Sequence, residues 1–458
     1  MDSQTIEALV REGGDLHAAA TLLVALVAGF VALLAQTGFG LLATGMVRAK
    51  NAAHTMAMSF VVFAAGILGY WAIGFALQSS GSGHLSSTFG GFRGFFLNAS
   101  VAHGIAPLFM VGAVAGTVAA TIPIGAVAER SKLSALVLFA LATTAFIYPV
   151  FAHWVWGGGW LSSLGKNFGL GHGVVDCAGS GVVHMTGGLL ALIAAKMVGP
   201  RLGKYSLRGD VRPIPAHNMP LVVLGTLVLA SAWFALAVSA SSLIGGVDVG
   251  TMAVNALLAS AAGGMAAFLH TRLRFGKPDL SLMCNGLLAG LVAISASGAL
   301  VGSGSAVLIG LVASVLAIEG ALIIERKLKI DDPVGAFAVH GLGGAWGLLS
   351  VGIFANGVSG NGLHGVAGPV RGIFAGSAGQ LGASLVGIVA NVVWVVPLAL
   401  IALAVVGRIV GNRPTADDEI AGLDVPELGM TGYVTEAVHA SSTRSSDLGQ
   451  GGRPARVA

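Results

Sequence analysis

The sequence predicts an all-α polytopic membrane protein with eleven transmembrane helices. Of its 458 residues, 55% are hydrophobic and only 10% are charged, whereas a soluble domain carries roughly 25% charged residues. Several apolar stretches exceed the roughly 18 residues that cross a bilayer. The 70 glycines are typical of helices that pack closely against one another in lipid. The lipid bilayer is therefore the expected environment of most of the chain.

Apolar segments that are long enough to cross the membrane follow one another from the N-terminus, separated by short polar loops. Together they predict one transmembrane domain over residues 1–411. The approximate bounds of the predicted helices are 16–43, 53–78, 104–128, 133–155, 173–199, 217–241, 250–271, 281–300, 303–325, 334–355 and 379–411.

The charges of the connecting loops predict how the chain is oriented. Alternate loops contain fourteen basic residues, namely Arg48, Lys50, Arg130, Lys132, Arg201, Lys204, Arg208, Arg212, Arg272, Arg274, Lys277, Arg326, Lys327 and Lys329. The opposite side has only Arg11, Arg93, Lys166 and Arg371. By the positive-inside rule, the N-terminus lies outside and the C-terminus in the cytoplasm of a multi-pass plasma-membrane protein. The basic residues are scattered, which excludes a nucleic-acid patch.

The two ends of the chain differ in character. The first fifteen residues contain four acidic residues and only Arg11, the wrong charge for a secretory signal peptide, so we expect them to be retained. Residues 412–458 begin with an acidic stretch and end in a segment rich in Ser, Thr and Gly. This composition predicts a cytoplasmic tail whose final portion is disordered.

One motif occurs twice, at the start of the fifth and the tenth predicted helix. Residues 176–188 read DCAGSGVVHMTGG and residues 332–344 read DPVGAFAVHGLGG. Both follow the pattern Asp, seven residues, His, two residues, Gly-Gly. The two helices cross the membrane in opposite directions, which predicts an inverted repeat of two five-helix halves plus a final helix. Eight residues of helix span about 12 Å, so both histidines are expected near the midplane.

His184 and His340, the motif histidines, are the first candidate site residues. An ionisable side chain inside a membrane is costly and is by default a candidate for function, and imidazole both donates and accepts protons near neutral pH. The alternative is a structural role as polar contacts between helices. The matched depth favours a pore function. Two histidines without a third ligand do not predict a metal site, and no catalytic residues are expected.

The motif aspartates have a structural explanation that comes first. Asp176 and Asp332 each begin a helix, where a carboxylate accepts hydrogen bonds from the free N–H groups. Asp176 lies on the outer side, where its charge would also act on an arriving cation. Trp156, at the end of the fourth helix, fits an interfacial aromatic belt or a cation–π contact. Trp233 and Phe234 are expected to be lipid-facing or packing residues.

Seven segments, taken together, resemble the ammonium transporter (Amt/Rh) family. They recur in the family's order and spacing over roughly residues 36–430, and they read GMVRAKN (45–51), GAVAERSKLSA (125–135), HWVWGGG (153–159), DCAGSGVVH (176–184), AHNMP (216–220), DDPVGAFAVHGLGG (331–344) and GIFA (352–355). The resemblance implies an eleven-helix protein without a cofactor, usually a homotrimer with one pore per subunit. Its cargo would be ammonium or ammonia.

The resemblance also implies roles for four residues of this sequence. His184 and His340 correspond to the twin histidines of the pore. Asp176 corresponds to the aspartate beneath the outer cation-recruitment site. Trp156 corresponds to the tryptophan that forms a wall of that site, which raises it from a belt residue to a candidate ligand.

Four positions depart from the family pattern when residues are counted without gaps. The two phenylalanines of the family's gate fall on Ala115 and Leu236, and two serines of its mouth fall on Ala76 and Ala240. Phe109 and Phe234 are candidate substitutes for the gate. Near the C-terminus, GLDVPELGMTGY (422–433) keeps only the family's Gly-Leu-Asp, which weakens the expectation that it contacts a PII-type regulator.

The expected function is therefore transport of ammonium rather than enzyme chemistry. Deprotonation, passage of ammonia and relay of the proton over the two histidines would avoid the cost of moving a permanent cation through an apolar pore. Two alternatives stay open at this point. One is a neutral gas channel of Rh type, and the other is an ammonium sensor with little flux.

Overall fold

The computed structural model describes residues 3–79, 88–92, 94–97 and 105–433, and helices dominate this part of the chain. Eleven of the described helices are long and apolar enough to cross a membrane, which confirms the predicted fold class. They are α1 (Ala19–Met46), α2 (Ala49–Gln78), α3 (Ala106–Val127), α4 (Leu133–Trp156), α5 (Ser180–Val198), α6 (Met219–Ser242), α7 (Val249–Phe275), α8 (Leu280–Ser297), α9 (Ser303–Arg326), α10 (Phe337–Phe354) and α11 (Gly379–Ile409).

Several membrane helices contain local departures from α-helical geometry. The first membrane helix, α1, is interrupted near its middle. One α-helix, which begins before α1 at Ser3, ends at Ala32, and a second α-helix begins at Leu34. Four helices contain a π-helical turn, at Tyr70–Gly74, Thr143–Ile147, Ser180–Met185 and Phe337–Leu342. Such turns are rare and occur frequently at functional sites, because the extra residue re-aims the side chains that follow. Both motif histidines lie in one.

Burial divides the helices into an inner and an outer group. In α3 and in α5, 83% of the most apolar 18-residue stretch is buried, whereas in α11 only 22% of that stretch is buried. A helix that is apolar all round and buried belongs to the interior of a bundle, and one that exposes apolar side chains faces lipid or another protein. The helix that contains His184 therefore belongs to the interior of the subunit.

Glycines of the doubled motif bring α5 and α10 into close contact. A Cβ atom on Gly188 would lie 2.2 Å from the backbone nitrogen of Gly341, and one on Gly344 would lie 2.3 Å from the carbonyl oxygen of Ser180. Each copy of the motif thus packs against the backbone of the other. Small residues that allow such an approach are the usual means of helix packing in membranes.

Four buried charged residues, together with the partly exposed Arg48, form what we call the ionic layer, which consists of Arg48, Glu129, Arg130, Arg201 and Asp331. Arg201 donates to the Glu129 carboxylate at 2.9 Å and to the Asp331 carboxylate at 2.8 Å. Arg48 also pairs with Glu129, and Arg130 donates to the Asp331 carbonyl oxygen at 2.5 Å. Each buried charge therefore has a partner, as it must to offset its desolvation.

The ionic layer fixes the direction of the two motif copies. It lies at the end of the bundle where α4 begins at Leu133, while α4 ends at Trp156, which lines a cavity together with Asp176. Asp332 follows directly on Asp331 in the ionic layer. The first copy thus starts at the Trp156 end and the second at the opposite end, as an inverted repeat requires.

The first part of the predicted tail folds against the ionic layer. Two short helices, α12 (Ala416–Ala421) and α13 (Asp424–Leu428), follow α11. Glu419 pairs with Arg413 at 2.7 Å and accepts from the backbone of Leu202 at 2.7 Å, while Asp424 accepts from the backbone of His54 at 2.8 Å. The predicted disordered end, residues 434–458, lies outside the described residues. The division into a domain over 1–411 and a tail stays a prediction.

Candidate functional site

His184 and His340 lie side by side in the interior of the bundle. Their ring centroids are 5.4 Å apart and the ring planes are tilted by 30°. His184 is completely buried and His340 is 4% exposed. Both ring nitrogens of His184 and the Nδ1 atom of His340 are buried without a hydrogen-bond partner in the protein. A buried polar atom that stays unpaired costs about 1–3 kcal/mol, so these nitrogens are available to a small polar solute.

Aromatic rings hold the two imidazoles in place. The Trp233 ring stacks on His184 with centroids 4.1 Å apart, and it is nearly parallel to His340 at 5.8 Å. Its indole N–H donates to the Ser295 hydroxyl at 3.0 Å, which fixes the ring. Phe39 contacts His340 with centroids 5.7 Å apart. The sequence predicts Trp233 as a lipid-facing or packing residue, and its contact with the histidines could not be seen without the fold.

The motif aspartates bond the backbone at the starts of their helices. The Asp176 carboxylate accepts from four backbone N–H groups, those of Gly179, Ser180, Gly181 and Val182, at 2.7–2.9 Å. The Asp332 carboxylate accepts from the backbone of Phe337 at 2.9 Å, and its other oxygen has no partner. Burial raises the pKa of the Asp176 carboxyl, and its four backbone bonds act in the opposite direction.

A cavity of about 360 Å³, which we call the mouth cavity, opens at the Trp156 end of the bundle. Trp156, Asp176 and Ala240 line it, so three of the sequence-predicted recruitment and mouth positions come together. The Trp156 indole donates to the Asp176 carbonyl oxygen at 2.6 Å, which fixes the indole ring. Tyr70 and Phe75 also line the cavity, which is therefore rich in aromatic surface.

A second, much smaller cavity of about 20 Å³ lies on the other side of the histidine pair. His340 and Phe39 line it, together with the polar side chains of Thr121 and Asn285. The small cavity thus reaches the pair at His340, whereas neither histidine lines the mouth cavity. This arrangement fits a narrow pathway through the subunit.

The remaining predicted positions lie outside both cavity walls. Ala115 is buried in the main hydrophobic core, and Leu236 packs in a small separate cluster with Ala32 and Val114. Ala76 is fully buried. Their assignment as gate and mouth positions stays a prediction. Of the candidate substitutes, Phe109 packs against Tyr70 and Phe75, with ring centroids 5.6 and 5.7 Å apart, and Phe234 packs on the core.

Two residues of the mouth cavity are missing from the sequence-based prediction. Tyr70 and Gln78 line the cavity, and the Tyr70 hydroxyl donates to the Gln78 side-chain oxygen at 3.0 Å. The π-helical turn at Tyr70–Gly74 changes which face of α2 these residues occupy. A gap-free count along the chain has no signal for such a turn. Among the described residues, no group of three or more His, Cys, Asp or Glu side chains could hold a metal ion.

Comparison of the whole sequence with protein families gives one match. A model described as the Ammonium Transporter Family matches residues 22–433. Ammonium transporter Amt2 of Archaeoglobus fulgidus is 39% identical over 416 residues, which cover 89% of this chain and 87% of the relative. Ammonium transporter Amt1 of Haloferax mediterranei is 36% identical over 424 residues, which cover 89% of this chain and 78% of the relative.

Solved structures of the same class share the fold. The chain superposes on a structure titled Sensor Amt Protein with a TM-score of 0.81 and 32% sequence identity, covering 91% of this chain and 100% of that one. Mep2 of Candida albicans superposes with a TM-score of 0.74 and 26% identity, covering 87% of each chain. The family match over residues 22–433 includes all the residues that form the histidine pair and both cavities.

Proposed function

This chain belongs to the ammonium transporter family, and we propose that it moves ammonium across the cytoplasmic membrane through a pore with His184 and His340 at its core. It is a multi-pass membrane protein, and the relatives it matches are named transporters. The proposal concerns the cargo, the route and the chemistry of the pair.

The observation that carries the proposal is the histidine pair itself. Three of its ring nitrogens are buried without a partner, and a small cavity reaches the pair at His340. A structural pair would be expected to satisfy its nitrogens with neighbouring groups. Unpaired nitrogens next to each other suit a solute that exchanges protons and hydrogen bonds as it passes.

The proposed route begins at the mouth cavity, on the side that the loop charges place outside. An ammonium ion meets the faces of Trp156 and the neighbouring rings, which attract cations. The helix cap at Asp176 leaves its carbonyl and carboxylate oxygens as a negative region near the ring. These groups recruit the cation, and they do not need to hold it tightly.

Proton transfer then avoids the cost of carrying a charge through the apolar core. The ion gives a proton to one imidazole and continues as ammonia, so that the imidazole becomes imidazolium. The proton passes to the second imidazole. This imidazole releases the proton on the far side, where ammonia takes up a proton and becomes ammonium again. Each imidazole returns to the neutral form, and one ammonium ion has crossed in net terms.

A second candidate function is ammonium sensing with little flux. The similarity to a solved structure that is titled a sensor favours it, with a TM-score of 0.81 over 91% of this chain. A sensor would bind ammonium at the same mouth cavity without passing it on. Flux measurements therefore separate the two candidates.

The assembly and regulation follow from the family in the same way. We propose a homotrimer with one pore per subunit, consistent with the outward-facing apolar side chains of α7 and α9, among them Leu257, Met265 and Leu308. Binding of a PII-type regulator has weaker support, because residues 422–433 depart from the family after Gly-Leu-Asp and bond the protein's own loops through Leu423, Asp424 and Glu427.

The direct experiment is electrical recording on protein reconstituted in lipid vesicles. We expect ammonium-dependent currents from the wild type and their loss in the His184→Ala, His340→Ala double variant. His270→Gln is the matched control, because His270 is bonded to Glu319 on the outer side of α7. Currents that persist unchanged in the double variant would refute the relay. Uptake of the neutral species without current indicates a gas channel, and ammonium binding without flux indicates a sensor.

A further inference from the structure

The wall of the mouth cavity contains a hydrogen-bonded pair of polar side chains, Tyr70 and Gln78. Tyr70 lies at the start of the π-helical turn in α2, and its hydroxyl donates to the Oε1 atom of Gln78 at 3.0 Å. Tyr70 is completely buried, yet its edge reaches the cavity wall, as does Gln78. The pair thus forms a polar part of the cavity wall.

Two glycines of α3 form a close-fitting seat for this pair. A Cβ atom on Gly112 would lie 2.0 Å from the Tyr70 hydroxyl oxygen and 3.4 Å from the Gln78 amide nitrogen. A Cβ atom on Gly116 would lie 3.0 Å from the ring of Tyr148. Because any side chain at Gly112 would collide with the Tyr70 hydroxyl, the position of that hydroxyl is fixed by packing as well as by its hydrogen bond.

The chemistry of the group matches a small cation that carries N–H donors. Ammonium has four N–H groups and no acceptor, and the Tyr70 hydroxyl and the Gln78 side-chain carbonyl supply oxygen lone pairs. The Tyr70 hydroxyl donates its proton to the hydrogen bond with Gln78, so the lone pairs of the Tyr70 oxygen remain available as acceptors. Phe75 packs edge-on against Tyr70 with centroids 6.2 Å apart and adds an aromatic ring to the same wall.

We propose that Tyr70 and Gln78, seated on Gly112, form a polar gate that selects ammonium by hydrogen bonding before it reaches the histidine pair. This inference rests on the proposed transport of ammonium and adds how this chain recognises it. The gate replaces part of the ion's hydration shell with oxygen acceptors. Methylammonium has one N–H donor fewer than ammonium, so it is accepted less well.

Three substitutions test the gate in the full-length protein in lipid vesicles. Gln78→Leu removes the amide at similar volume and should raise the half-saturating ammonium concentration about tenfold or more, the effect of one lost hydrogen bond to a charge. Tyr70→Phe removes only the hydroxyl and should reduce discrimination against methylammonium. Gly112→Ala displaces the Tyr70 hydroxyl and should raise the half-saturating ammonium concentration as Gln78→Leu does.

Gly264→Ala is the matched control, because a Cβ atom there meets its nearest neighbour, Leu287, at 3.6 Å, an ordinary contact. Elution of each variant as a single folded species is checked before flux is measured. Unchanged ammonium affinity and methylammonium discrimination in both Gln78→Leu and Tyr70→Phe would overturn the gate and leave transport intact. If the wild type shows no flux, the proposed transport is refuted. The ammonium affinity measured by calorimetric titration still tests the gate. Weaker binding by Gln78→Leu then supports it, and equal binding overturns it.

Discussion

At the scale of single residues, the carboxylate of Asp176 shows how a charge can be buried beside a pore. Four backbone N–H groups at the start of α5 point at its two oxygens, so the partial positive charge of the helix start compensates the carboxylate. The same bonds fix the backbone that precedes His184 by one turn. Asp176 therefore positions the histidine as well as shaping the mouth cavity.

Replacing Asp176 by Asn should weaken this cap without removing the side chain. The amide offers one oxygen in place of two and no charge, so we expect a loss of about 2–3 kcal/mol from the free energy of unfolding. Asp248→Asn is the matched control. Asp248 caps α7 through the backbone of Gly250 and Thr251 but is exposed, so its loss should cost about 1 kcal/mol or less.

Thermal unfolding of the purified variants in detergent measures the difference. The expected result is a clearly lower unfolding temperature for Asp176→Asn and a small change for Asp248→Asn. Equal shifts in the two variants would show that the four bonds of Asp176 contribute no more than an exposed cap does.

At the scale of elements, the crossing of α5 and α10 depends on the second glycine of each motif. Gly188 lies against the backbone of Gly341, and Gly344 lies against the backbone of Ser180. Because each contact is to backbone and not to a movable side chain, neither glycine tolerates a methyl group without displacement of a whole helix. The Gly-Gly pair in the motif is thus explained by the same crossing that brings the histidines together.

Gly188→Ala and Gly344→Ala should therefore each reduce both stability and transport. A Cβ atom would sit 2.2–2.3 Å from backbone atoms of the opposite helix, and overpacking of this kind costs about 1–3 kcal/mol or more. Gly304→Ala in α9 is the control, because no atom lies within 4 Å of its Cβ position. We expect it to be neutral or slightly stabilising. Wild-type unfolding temperatures in both motif variants would contradict this account of the crossing.

The helices and the histidine pair could be predicted from the sequence, whereas the polar part of the mouth cavity wall could not. Hydropathy indicates the length of each membrane helix, and loop charge indicates its direction across the membrane. The doubled motif indicates His184 and His340 because its spacing repeats. The contacts of Tyr70 depend on a π-helical turn and on the space that Gly112 leaves. Neither has a signature in hydropathy, so a gap-free count along the chain does not indicate Tyr70 or Gln78.

At the scale of the whole molecule, the ionic layer connects the loops, the second motif and the C-terminal segment. Arg201 bridges Glu129 after α3 and Asp331 before α10, and Glu419 of α12 accepts from the backbone beside Arg201. Removing one member of such a buried network leaves an uncompensated charge. The end of the bundle opposite the mouth cavity is therefore held by electrostatics, while its interior is held by packing.

Acid should weaken this end of the molecule through Asp331. The carboxyl is buried, which alone would raise its pKa, but hydrogen bonds and charge from Arg201, together with the charge of Arg130, lower the pKa to about 2 from its ordinary value of 3.8. A lowered folded-state pKa contributes stability above the ordinary value, and that stability is lost as the pH falls from about 4 towards 2. The contribution at neutral pH is about 2 kcal/mol.

Unfolding temperatures of the protein in detergent between pH 6 and pH 3 therefore provide the measurement. The wild type should lose stability over the lower part of this range, and Asp331→Asn should be less stable at pH 6 but depend less on pH. Asp332→Asn is the control, because burial raises the pKa of that neighbouring carboxyl, so its removal should not lessen the acid loss. If Asp331→Asn keeps the full acid sensitivity of the wild type, other carboxylates, and not the Arg201 pair, set the acid stability of this protein.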